Sequence, residues 1–143
     1  MGKGSKIRRL REEHGLTQAQ LASLVGVTDA ALRGYESGRR IPKRGHLLLL
    51  ADALGVAPES LVDHGLEDPD AFAHAIFDLE GGRAVPALSE GPEGVSLSFD
   101  GVHGRVLRDW FEVRSRLESG EMSQDEYDSW RDGYVVNGEG DKG

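Results

Sequence analysis

The sequence predicts a mainly α fold: five short helices, then a small α+β region of helix, β-hairpin and helical hairpin. Three observations predict it. Residues 6–62 carry apolar side chains at three- and four-residue spacings, with stops at Gly15, Gly26, Gly38 and Gly55. Residues 81–101 turn Gly- and Pro-rich, and within them Val95, Leu97 and Phe99 alternate with Ser. Helical spacing then returns through Val106, Leu107, Trp110, Val113 and Leu117, and again through Tyr127, Trp130 and Tyr134.

Met1 to Gly4 reads as a frayed start. The first helix, Lys6 to His14, has only Ile7 and Leu10 as apolar residues, and Gly15 stops it. Thr17 is a good N-cap for the second, and Gln20 three residues later completes a capping-box pattern. Its apolar positions are Leu21, Ala22, Leu24 and Val25. Thr28 caps the third helix, which carries Ala31, Leu32 and Tyr35 and stops at Gly38. A basic turn of Arg39, Arg40, Ile41, Pro42, Lys43 and Arg44 leads to a fourth helix, His46 to Leu54. Pro58 suits the first turn of a short fifth helix through Leu61 and Val62.

Glu67-Asp68-Pro69-Asp70 reads as a linker or a cap. Phe72, Ala75, Ile76 and Leu79 mark one amphipathic helix, and Ala84 to Leu88 is a hairpin partner for the alternating segment. The expected turn between them is Ser89 to Gly94. Ser119-Gly120-Glu121 breaks the next helix, and Ser123 with Glu126 makes another capping box. Trp110, Phe111, Tyr127, Trp130 and Tyr134 can stack bases or pack two antiparallel helices together; the acidic surroundings favour packing. Asn137 to Gly143 is polar and Gly-rich, a tail expected to be disordered. The expected domains are therefore 1–65, 66–136 and the tail 137–143.

The net charge of −8 is unevenly spread. Met1 to Arg44 holds ten Lys/Arg against four Asp/Glu, whereas Gly45 onward holds seven against 21. A basic end on an acidic body suggests an anionic partner for that end alone. The absence of Cys excludes disulfides, thiolate metal sites and a Cys nucleophile, and fits a reducing cytosol. No apolar run approaches the roughly 20 residues that cross a bilayer, and residues 1–15 lack a signal-peptide core. A soluble cytoplasmic protein without a membrane partner is expected. The five His include no pair at i, i+4 spacing, and no Lys stands between Lys43 and Lys142 to complete a Ser–Lys dyad. No catalytic residue, cofactor or metal is expected, and the chain is not read as an enzyme.

One group of residues falls in step with a known pattern: Leu10-Arg11, Gly15-Leu16-Thr17-Gln18, Leu21-Ala22, Gly26-Val27-Thr28, Tyr35 to Arg40, Pro42, and Leu50-Ala51 through Val56. On these, residues 6–62 resemble the Cro/C1-type (XRE-family) helix-turn-helix domain of phage repressors and bacterial regulators. The resemblance implies a lambda-repressor-like fold whose third helix, 28–37, enters the major groove of double-stranded DNA. It implies a transcriptional regulator, acting as a homodimer on a palindromic site. Gln18 is then a phosphate contact at the start of helix two. Thr28, Asp29, Ala30 and Arg33 lie at the reading face, and Arg39, Arg40, Lys43 and Arg44 run along the DNA backbone.

The reading face departs from the usual one. Asp29 can accept from cytosine N4 or simply favour the helix start, and the second explanation is preferred. Ala30 offers only apolar contact, such as to a thymine methyl, and Gly34, placed on the same face, offers no side chain. Arg33 is the strong candidate for a guanine or a phosphate. Arg11 and Glu36 match a structural ion pair between helices one and three. In the register of the resemblance, Leu49 is the exposed member of Leu47–Leu50. The C-terminal half is similar, more loosely, to helix–hairpin–helix tails of such regulators, which leaves dimerisation, ligand binding and docking of a partner protein open for it. The alternative function is an antitoxin-like interaction module whose C-terminal region covers that partner.

Overall fold

Thr17, Thr28 and Asp68 start helices because their side chains satisfy amides that a first helical turn leaves unpaired. Thr17 Oγ1 accepts from Gln20 N at 3.1 Å while Gln20 Oε1 accepts from Thr17 N at 2.8 Å. Thr28 Oγ1 accepts from Ala31 N at 3.0 Å, and an Asp68 carboxylate oxygen from Asp70 N at 2.9 Å. The computed structural model describes residues 2–82 and 84–136. The helices are α1 (Lys3–Glu13), α2 (Gln18–Val25), α3 (Asp29–Ser37) and α4 (Arg44–Leu54), then a 3₁₀ turn, Pro58–Leu61. There follow α5 (Pro69–Asp78), a 3₁₀ turn (Leu79–Gly81), β1 (Ala87–Gly91), β2 (Gly94–Ser98), α6 (Gly101–Glu118) and α7 (Gln124–Gly133). The expected tail, 137–143, lies outside the described residues.

The chain forms two compact units, Met1–Asp63 with Ser129–Val135, and His64–Asp128 with Val136–Gly143. The first has the apolar core. Ile7, Leu21, Leu32, Leu50 and Leu54 are fully buried there, and Ala22 at 1% exposure lets α2 lie close to its neighbours. Gly26 ends α2 with φ +78, a conformation that favours glycine. Asp132 belongs to this unit as well. Its carboxylate pairs with Lys6, and its carbonyl accepts from Ala57 N at 2.8 Å. The composition of α7 gave no sign of that link, because it joins residues far apart in sequence.

In the second unit, β1 and β2 pair antiparallel with Leu88 opposite Leu97 and Gly91 opposite Gly94. Among the described residues, Val113 and Tyr127 are its buried hydrophobic ones. Trp110 Nε1 donates to Tyr127 Oη at 2.8 Å, so α6 and α7 meet through two of the aromatic residues. Phe111 stands out at 76% exposure and does not join that packing.

Several local expectations are corrected. α1 starts at Lys3, not Lys6, because Gly4 packs its backbone against α3; a Cβ there would fall 2.5 Å from the Tyr35 carbonyl oxygen. Lys3 Nζ donates to Ser60 O at 3.1 Å, and burial, then the nearby Lys6 ammonium, pull its pKa below the usual lysine value. α4 begins at Arg44 instead of His46, and the short fifth helix is only a 3₁₀ turn. Leu48 is exposed along with Leu49, at 44% and 48%, because α4 buries positions 47, 50, 51 and 54. The strand β1 includes Ser89, Glu90 and Gly91, so the hairpin turn is tighter than the alternation of apolar residues suggested.

Leu50→Ala is expected to cost about 2–5 kcal/mol in urea unfolding, and Leu49→Ala to stay within about 0.5 kcal/mol. Equal losses would mean that α4 uses another face. Glu126, held by the Ser123 backbone N–H and then its side chain, titrates below an ordinary glutamate. A lowered folded value means that its contribution is present at neutral pH and lost as pH falls through that value. Carboxyl NMR titration should show the low inflection, moving upward in Ser123→Ala.

Candidate nucleic-acid interface

Three helices meet on one carboxylate. Glu36, on α3, is buried, with its side chain 4% exposed. Its Oε1 accepts from Arg11 Nε of α1 at 2.8 Å, and its Oε2 from Gln18 Nε2 of α2 at 2.9 Å. Arg11 Nη1 also donates to the Leu16 carbonyl at 2.8 Å. The geometry contains the Arg11–Glu36 pair that the family resemblance implied and adds Gln18 to it. One amide hydrogen of Gln18 is therefore engaged within the protein, and an amide nitrogen has two. The other is left for an acceptor at the start of α2, where helix N-termini favour anions.

The outward side of α3 carries Asp29, Ala30 and Arg33, all exposed. Thr28 is exposed too, but its hydroxyl already accepts from the Ala31 amide. Asp29 sits in the first turn of α3, where a carboxylate favours the helix dipole. Gly34 is buried, which corrects its placement on the exposed face. Its cover is Arg40: a Cβ on Gly34 would lie 2.8 Å from Arg40 Cδ and 3.0 Å from Cγ. Sequence reasoning missed this contact, and a glycine facing a long side chain six positions later gives no periodic signal.

The four cations after α3 are not equivalent. Arg40 N donates to Gly34 O at 3.2 Å, and its guanidinium lies 6.0 Å above the Tyr35 ring. Arg44 Nη1 pairs with Glu59 at 2.9 Å. Arg39 and Lys43 are exposed and, with Arg33, make no ion pair among the described residues. Among the same residues no His, Asp or Glu cluster could hold a metal ion, and no helix is long and apolar enough to cross a membrane.

A family model described as helix-turn-helix matches residues 7–61. An uncharacterized HTH-type transcriptional regulator of Sinorhizobium fredii, y4dJ, is 42% identical over 66 residues, 46% of this chain and 86% of that protein. The chain belongs to the XRE-type helix-turn-helix family. Repressor protein C2 of Salmonella phage P22 is 26% identical over 111 residues, 77% of this chain. This helix-turn-helix chain spans half the length of that repressor. A crystal structure of the P22 c2 repressor with a synthetic operator is similar at a TM-score of 0.43 and 32% identity, over 44% of this chain and 96% of that one.

Within the helix-turn-helix domain, α2 and α3 are the paired helices, and Gly26 makes the turn between them. Removing Glu36 leaves the buried Arg11 with only the exposed Glu12 carboxylate, 3.8 Å away. Glu36→Ala should cost about 3–5 kcal/mol in urea unfolding. A loss below about 1 kcal/mol would show that water readily replaces the carboxylate.

Proposed function

We propose that this chain is a sequence-specific DNA-binding transcriptional regulator, with α3 as the recognition helix in the major groove. The observation that carries the reading is the unpaired set Arg33, Arg39 and Lys43, placed on α3 and its exit loop in a helix-turn-helix domain. Base contact is assigned to Arg33, with Ala30 facing a methyl group. Phosphate contact is assigned to Gln18, Arg39 and Lys43, and to Arg44 after exchange of its exposed Glu59 partner. Asp29 and Thr28 serve the helix start first.

The similarity to a phage repressor favours this reading over the antitoxin-like one. The chain acts in the cytoplasm as a homodimer, since one recognition helix covers only a half-site and symmetric dimers read palindromes. Exposed Phe77, Leu88, Val95 and Phe111 in the second unit support a role for residues 66–136 in joining a second copy or a partner protein.

Gel shifts across a salt series test the reading. Each phosphate contact contributes about 0.9 to the slope of log affinity against log salt. The Arg39→Ala/Lys43→Ala double variant should therefore lower the slope by about 2. Absence of duplex binding even at low salt would sink the proposal.

A further inference from the structure

Gly34 leaves a bare place on the recognition helix, and Arg40 fills it. Ala30 and Gly34 are one turn apart on α3, so that stripe offers one methyl group and no polar atom of its own. Arg40 Cβ, Cγ and Cδ run along it, 3.4, 3.0 and 2.8 Å from where a Gly34 Cβ would stand. The backbone fixes the same register, since Arg40 N donates to Gly34 O at 3.2 Å. The guanidinium carbon lies 6.0 Å from the centre of the Tyr35 ring, a residue of the same helix. A flexible loop arginine would suit a phosphate. An arginine whose stem is laid on the helix behaves as a side chain of that helix, with its position set in advance.

Resting on the DNA-binding reading above, we propose that Arg40 reads a base from the place Gly34 leaves vacant, and that Gly34 is its positioning residue. The natural target is guanine, because the two-pronged guanidinium matches its O6 and N7 acceptors, which a lysine ammonium does not grip in the same way. The recognition surface is then built from two segments: Arg33 from the helix itself, and Arg40 returned to it by the loop. This explains why a reading face poor in polar residues can still select a sequence.

The test is selection of bound duplexes from a random-sequence pool by the full chain, in parallel with Arg40→Ala, Arg40→Lys, Gly34→Ala and Arg33→Ala. Arg40→Ala should lose roughly ten- to hundred-fold discrimination at one base position. Arg40→Lys should relax that position while the salt slope stays near that of the parent. Gly34→Ala should relax the same position, through displacement of Arg40, without a lower melting temperature, since alanine is the better helix former. Arg33→Ala should affect a different position. An unchanged selected motif in Arg40→Ala, or an even loss across all sequences, would overturn the inference while leaving the regulator reading intact. A parent chain that enriches no sequence would overturn both.

Discussion

A buried carboxylate cannot be left without partners in a protein interior, and the first unit is arranged around that constraint. Glu36 draws Arg11 from α1 and Gln18 from α2 onto its two oxygens. Parting α1 from α3 would strand a charge, and parting α2 from α3 would cost the carboxylate a hydrogen bond. The pair need not add net stability, because desolvating two ions offsets much of their attraction. Both Glu36 oxygens are satisfied in this placement of α1 and α2 against α3. The start of α2 and the outward face of α3 are held in one relative position, as a rigid reader requires.

The cap residues and glycine stops were legible because they act within three or four positions. Thr17, Gln20, Thr28, Gly26 and Gly38 need only their neighbours to do their work. Glu36 and Arg11 could be paired only by resemblance, since nothing local joins residues 25 positions apart. Gly4 and Gly34 were misread for one reason. A glycine's meaning depends on what lies against it: for Gly4 the α3 backbone, for Gly34 the Arg40 stem. The exit loop was legible as a charge cluster, but composition could not sort it. Structure separates Arg44, paired with Glu59, from Arg40, laid on the helix, and from Arg39 and Lys43, which face solvent.

The second unit follows a different economy of burial. α5 has no buried residue, and both strands of the hairpin are mostly exposed. Two strands alone are marginally stable in water, so much of its order comes from local devices: the Asp68 and Ser123 caps, the Trp110–Tyr127 bond, and Arg114 lying 5.6 Å above Trp110. Sequence periodicity located α6 and α7 because amphipathic stripes persist even where little is covered. It misplaced β1 because Ser89 and Glu90 extend the strand without adding apolar signal.

Asp132 gives the first unit an order in time. A chain leaving the ribosome releases α1 to α4 long before residue 132. Until then Lys6 lacks the carboxylate it meets in the finished protein, and the Ala57 amide lacks its carbonyl. The helix-turn-helix pair is thus complete in sequence while the unit that carries it is still open at one side. Synthesis that stops before Asp132 yields α2 and α3 with every cap intact, yet a unit without its last fastening.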